Sequence, residues 1–347
     1  MEYQKSKRSN KKLYKRSDKR TKKRLNRRPD KRTKKKYKRE GGADAAPVAA
    51  TAAASLVTTE SSEPNLYIIR HGLSCANAKK YESKGLVPLA FHKILDPRLT
   101  KSSIEKSTGY EKSGLHGEIK KIIFNEVNPD RKFVLCCSTL LRSQETCYHM
   151  FKRYLDHKNC LNKSIHILPY CNEKFNKIDK YNQDNKPDPK IWGITGKDKK
   201  ITKIQERVFK NYETLFKTKE PRKKFVTDRG SIKLEDRNIF NLDYITDDFN
   251  VSETGPDREE FKKILKEIKI KIKYLTGNPI IIVVTHSNFM KGELKIPVKP
   301  KNNSIHKFTM KIEGDSGISL NYEGNDFDGF DNSHEKLGEQ VKICETN

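Results

Sequence analysis

Three short runs decide what this chain can fold into: Asn65-Leu66-Tyr67-Ile68-Ile69-Arg70, Lys132-Phe133-Val134-Leu135-Cys136-Cys137-Ser138 and Ile280-Ile281-Ile282-Val283-Val284-Thr285. Each is apolar at consecutive rather than alternate positions, so as a strand it must bury both faces. A sheet covered on both sides is the parallel kind. Each run also ends on residues able to do chemistry: Arg70-His71-Gly72, Ser138 leading to Arg142, and Thr285-His286-Ser287. Open α/β sheets bind ligands beyond the carboxyl ends of their strands. Two His and two Arg gathered there would form a cationic cup of phosphate size, because the planar Arg fork donates two parallel hydrogen bonds.

Between these runs the apolar period changes to that of helices. Cys147, Met150, Phe151 and Tyr154 share one helical face, and Phe261, Ile264, Leu265, Ile268, Ile272 and Leu275 do so more strongly. The second helix opens with Asp257 and Glu260, a capping-box spacing, and Gly277 follows it as a stop. Ser164–Leu168 and Ile305–Ile312 read as further strands. Strands alternating with helices predict an α/β, three-layer sandwich with a central, mostly parallel sheet covered by helices. The phosphate-sized cup and its sheet are assigned to residues 63–322. Residues 176–250, rich in Lys, Asp and Asn with one helix expected over Ile204–Phe216, read as a polar insertion near the active site that could serve as a lid. The acidic, Gly- and Asn-rich stretch 323–347 reads as a flexible tail.

The N-terminal part has a different character. Residues 1–40 carry 21 Lys and Arg against four acids, a net +17 of the chain's +28. So few large apolar residues cannot offset the entropy of ordering, which predicts a disordered basic arm over 1–42 and an Ala-rich linker over 43–62. Such an arm suits nucleic acid, an import receptor or no specific partner. No run is long enough to span a membrane, Pro279–Val284 being far too short. Seven cysteines without a C-x-x-C pair argue for thiols rather than a disulfide framework, hence an intracellular, reducing compartment, cytoplasmic or nuclear. Cys136, Cys137 and His166 read as packing residues, and Trp192 as packing the insertion or lining the substrate mouth.

The chain resembles the histidine phosphatase (phosphoglycerate-mutase-like) superfamily. The R-H-G-x-[ST]-x-x-N signature stands as Arg70-His71-Gly72-Leu73-Ser74-Cys75-Ala76-Asn77, and S-x-L-x-R-[SA]-x-[EQ]-T as Ser138 to Thr146. A D-P-x-L-T segment appears as Asp96 to Thr100, although the Gly expected three residues later is Ser103. Leu168 to Glu173, Thr285-His286-Ser287 and Asn302-Asn303-Ser304 match later blocks. The resemblance covers about residues 65–312. It implies that His71 is the nucleophile, that Arg70, Arg142 and His286 hold the phosphoryl oxygens, and that Asn77, Ser74 and Gly72 support the pocket. Glu173 is implied as proton donor, with Asp179 and Asp184 as alternatives.

The activity implied is hydrolysis of phosphomonoesters, in a phosphorylated small molecule or a phosphoprotein, through a phosphohistidine and with no metal or cofactor. Two other readings stand beside it. One is mutase-type phosphoryl transfer, against which Lys174-Phe175-Asn176-Lys177-Ile178-Asp179 lacks the glycines that mutases place after the donor. The other is an inactive phosphate-binding module tethered by its arm.

Overall fold

Every residue of β1 (Leu66–Arg70), β2 (Phe133–Ser138) and β7 (Ile280–Thr285) is buried. In the computed structural model these strands form the middle of a seven-stranded sheet of order β6-β3-β2-β7-β1-β8-β9. The residues described are 63–83, 94–109, 114–124, 128–173, 185–217, 225–227, 230–232, 237–246, 255–275, 278–314, 317–332 and 337–345. The chain divides into two units, Met1–Thr58 and Thr59–Asn347. The expected arm, the linker, Asp179, Asp184 and Gly277 lie outside the described residues.

The pairing from β1 through β7 and β2 to β3 (Cys160–Leu168) and β6 (Phe240–Asn241) is parallel throughout. On the other side β8 (Ile305–Glu313) and β9 (Gly317–Phe327) run antiparallel. A separate hairpin joins β4 (Phe225–Thr227) to β5 (Gly230–Ile232). Along β1, Tyr67 and Ile69 enter one core and Leu66 and Ile68 the other. The first core holds Ile119, Ile122 and Ile123 of a helix over Gly114–Ile123, with Tyr148 and Phe151 of a helix over Leu141–Phe151. The second holds Phe261, Leu265 and Ile268 of the Arg258–Ile272 helix and Phe289 of the short Ser287–Gly292 helix. Helices on both faces of a mostly parallel sheet make the three-layer α/β sandwich. Among the described residues no helix is long and apolar enough to cross a membrane.

In chain order the described helices are α1 (Cys75–Glu82), α2 (Lys101–Thr108), α3 (Gly114–Ile123), α4 (Leu141–Phe151), α5 (Pro189–Trp192), α6 (Lys197–Phe216), α7 (Arg258–Ile272), α8 (Ser287–Gly292) and α9 (Leu337–Glu345). The Asp257 carboxylate caps α7 by accepting from Glu259 and Glu260 amides at 3.0 and 3.1 Å. The reciprocal half of the capping box is replaced, because the Asp257 amide donates to the Tyr170 carbonyl at 2.9 Å. That bond ties α7 to the turn after β3.

Three sequence expectations need correction. First, α6 starts seven residues before Ile204. Ile201, Ile204, Val208, Tyr212 and Leu215 form its buried face, so this part of the insertion belongs to the layer over the sheet rather than to a polar cover. Second, β9 continues to Phe327 and α9 covers Leu337–Glu345, so the described residues past 323 are structured; Asn332 donates to Asn302 and the Ser102 amide to Gln340. Third, Cys75 and Cys344 are disulfide-bonded, with Cα atoms 5.7 Å apart, which joins α9 to α1. Their separation of 269 residues offers no spacing signal. The other five cysteines are free and buried.

All eleven residues of α4 are buried, including Glu145. Its carboxylate accepts from the Leu99 amide at 2.6 Å and from Asn211 Nδ2 of α6 at 2.5 Å. Burial nevertheless dominates and pushes Glu145 up to about 8 from its ordinary 4.5. A raised folded-state value means that this contribution to stability is fully present below the unfolded value and is lost as pH rises through about 8. In Glu145→Gln, Oε1 still accepts from Leu99, and Nε2 can donate to the partnerless Asn211 Oδ1 after that amide turns. The variant should therefore gain stability over the parent by on the order of a few kcal/mol between about pH 5 and pH 9. Thermal melting across that range checks it; a difference that does not change with pH would contradict it.

Candidate active site

In-register pairing of β1 with β7 sets Arg70 beside Thr285, so the next residue of each strand, His71 and His286, emerge together. Their ring centroids are 5.0 Å apart. The backbone carrying them is held at every step. The His71 amide donates to the Thr285 carbonyl at 2.9 Å, Asn302 Nδ2 to the His71 carbonyl at 2.9 Å, and the Asn303 amide to the Arg70 carbonyl at 3.0 Å. The Gly72 amide donates to Thr146 Oγ1 at 2.9 Å, which itself donates to the Arg142 carbonyl at 2.7 Å. This assigns a structural task to the Asn302-Asn303 pair.

The His71 ring has one tautomer consistent with its partners. Nδ1 lies 2.6 Å from the Gly72 carbonyl, which only accepts, so Nδ1 bears the proton. Nε2 faces the Nε of Arg142 at 3.3 Å, and a guanidinium only donates. Nε2 therefore presents its lone pair. Burial, then the charges of Arg142 and Arg70, hold the imidazole well below its ordinary range, against a smaller opposing effect of the Gly72 carbonyl. His286 is depressed in the same way, by burial first and then by Arg142, His71 and Arg70. Its Nε2 meets Ser138 Oγ at 2.5 Å, leaving Nδ1 buried and, among the described residues, without a partner. Arg70 donates from Nη1 to the Pro300 carbonyl at 2.7 Å, while its Nε is buried and, among the described residues, without a partner.

Arg142 stands in the first turn of α4, whose N-cap residue, Leu140, has no capping side chain. The cap comes from outside: Asp96 Oδ1 accepts from the Leu141 amide at 2.8 Å. Arg142 Nη2 donates to Glu173 Oε2 at 2.8 Å and to Asn185 Oδ1 at 3.0 Å. Glu173 follows a turn fixed by Asn172, whose Oδ1 accepts from both the amide and the hydroxyl of Thr139 at 3.1 and 2.8 Å. The site thus brings together His71, Arg70, Arg142, His286 and Glu173. Ser74 caps α1, accepting from the Asn77 amide at 3.3 Å, and the Asn77 side chain makes no hydrogen bond to a described residue. Sequence reasoning missed Asn185, Asn172 and the capping task of Asp96. Asn185 lies in a polar stretch with no pattern that could have marked it.

A neutral imidazole's lone pair, the Arg142 guanidinium beside it and two buried nitrogens that no described residue pairs, Arg70 Nε and His286 Nδ1, are groups that an anion could engage. Buried donors are rarely left unpaired, since each costs roughly 1–3 kcal/mol.

Gly72 is required by packing, because a Cβ there would collide with Ser103 Oγ. Gly72→Ala should cost roughly 1–3 kcal/mol of stability. Since Ser103 Oγ is the nearest obstacle, adding Ser103→Gly should recover part of that loss. Denaturant titration of the single and double variants decides it; an unaffected Gly72→Ala protein would contradict the packing argument.

No family model matches the sequence, and no curated protein does. Among solved structures, the chain is similar to one from Escherichia coli K-12 provisionally described as an alpha-ribazole-5'-phosphate phosphatase, at 14% identity and a TM-score of 0.34. It is also similar to a mycobacterial glucosyl-3-phosphoglycerate phosphatase, at 10% identity and a TM-score of 0.34. Each match covers 77% of this chain and 99% of the other.

Proposed function

We propose that this chain is a metal-independent phosphatase that hydrolyses phosphomonoesters through a phosphohistidine on His71. The observation that carries the reading is the buried His71 imidazole, with Nδ1 tied to the Gly72 carbonyl and Nε2 turned toward Arg142. Packing alone gives no reason to hold a neutral ring among arginines; nucleophilic attack on phosphorus does.

In the first step His71 Nε2 attacks phosphorus in line, the N–P bond forms and the bond from phosphorus to the ester oxygen breaks. Arg70, Arg142 and His286 hold the equatorial oxygens, where the charge gathers. Arg70 Nε, which no described residue pairs, then acquires an acceptor, as does His286 Nδ1 in the tautomer that carries its proton there. Glu173, once off Arg142 and protonated from solvent, passes that proton to the departing oxygen. In the second step water attacks the phosphohistidine, gives its proton to Glu173, and the N–P bond breaks to release inorganic phosphate. Glu173 starts this cycle on Arg142, the group a phosphate also needs, so substrate binding releases the carboxyl to face the leaving oxygen. The substrate is a phosphorylated small molecule or a phosphoprotein. The basic arm serves a separate purpose, contact with nucleic acid or an import receptor.

Assays in the presence of chelator test this directly, with an alkyl phosphate and nitrophenyl phosphate compared in parent and Glu173→Gln. Turnover should survive the chelator. In the step that forms the phosphohistidine, followed as a burst, the variant should slow the alkyl ester by roughly 10² to 10⁴ and the nitrophenyl ester far less, because nitrophenolate needs no proton to leave. Equal, small effects on both would remove Glu173 from the donor role, and loss of parental turnover on chelation would contradict the metal-independent mechanism.

A further inference from the structure

We propose that Asn185 is a positioning residue for Arg142, keeping its guanidinium oriented when the substrate phosphate takes over the bond to Glu173; this rests on the phosphatase reading above. The two N–H groups of Arg142 Nη2 go to unlike partners, the Glu173 carboxylate at 2.8 Å and the Asn185 amide oxygen at 3.0 Å. An arriving phosphate dianion repels the carboxylate and not the neutral amide. Glu173 is therefore the partner it displaces, and Asn185 the one it leaves in place. With Nη2 anchored on Asn185 and Nε directed at the reacting side of His71, the plane of the guanidinium has no freedom to turn.

The brace is itself braced. Asn185 is buried, three residues before Asp188, whose amide donates to Asp96 Oδ2 at 3.3 Å. The same Asp96 carboxylate accepts from the Leu141 amide at 2.8 Å and from Arg207 of α6 at 3.1 Å. Its side chain is fully buried. A single carboxylate thus fixes the start of the helix bearing Arg142, the segment bearing Asn185 and the insertion helix. The distance from Asn185 to Arg142 is set within one short circuit of hydrogen bonds. Asparagine suits the position: it accepts from the guanidinium without adding a second carboxylate where phosphate must enter.

The test uses the full chain, two substrates with unlike leaving groups, inorganic phosphate as inhibitor and the His71 titration followed by NMR. Asn185→Ala should lower kcat/KM about ten-fold or more, equally for both substrates, and weaken inhibition by phosphate to a similar degree, as expected for a lost hydrogen bond to a charged group. His71 should titrate nearer its ordinary range, because the guanidinium is less firmly directed at Nε2. Asn185→Asp keeps the acceptor but adds a negative charge beside Arg142, so phosphate inhibition should weaken while His71 titrates somewhat above the parent. If the alanine variant does not fold, as judged by melting, the near-isosteric aspartate variant carries the test alone. Parental phosphate inhibition and His71 titration in either folded variant that should change them, or a loss that differs between leaving groups, would overturn the assignment. A parent that hydrolyses neither substrate and whose His71 resonance ignores phosphate would sink the phosphatase reading itself, whereas a working parent with parent-like variants would sink only the role of Asn185.

Discussion

The parallel pairing of β1 with β7 is the constraint on which the site depends. Level placement of Arg70 with Thr285 delivers His71 and His286 side by side, and the backbone bond from the His71 amide to Thr285 prevents either strand from slipping. A shift of one residue would turn both rings into the opposite core, because side chains alternate across a sheet. The apolar runs on both faces make such a shift costly, since every residue of both strands is buried. Cationic chemistry at the sheet edge is thus held in place by aliphatic packing behind it.

Polar groups inside the domain do a second job, joining the insertion to the site. Asp96 links the start of α4 to α6, and Glu145, one turn beyond Arg142, links α4 to the Leu99 backbone and to Asn211. Buried polar groups of this kind stabilise only when their partners are present. They therefore favour one arrangement of α4, the loop at 96–100 and α6 over near alternatives. The geometry around Arg142 is as much a property of the insertion as of the sheet. The C-terminal part contributes from the other side, where Asn302 and Asn303 hold the His71 strand end and α9 is bonded to α1 through Cys75 and Cys344.

What could be read from the sequence follows from how local each signal is. The strands of the sheet centre were legible because runs such as Ile280–Thr285 leave no alternative to burial, and α7 was legible from a single apolar stripe. The two arginines and two histidines were legible because each stands next to such a run or in a compact motif. Asn185 and Asp96 acquire their tasks only through partners 43 and 45 residues distant. No local period marks them. The extension of β9 past 323 was hidden for a related reason: β9 gains its place by pairing with β8 rather than by its own composition, which alternates polar and half-buried residues. The start of α6 was missed because lysines at 197, 199 and 200 obscure the first turn of a stripe that begins at Ile201.

The account turns on His71 Nε2 as a nucleophile, and covalent capture tests that most directly. Turnover of a labelled phosphomonoester is stopped without acid, and the site of label is mapped by mass spectrometry. The expected result is an acid-labile, base-stable phosphoryl group on His71, absent in His71→Ala together with the activity, and reduced but not relocated in His286→Ala. A phosphoryl group on any other residue, or near-parental turnover by His71→Ala, would contradict the mechanism.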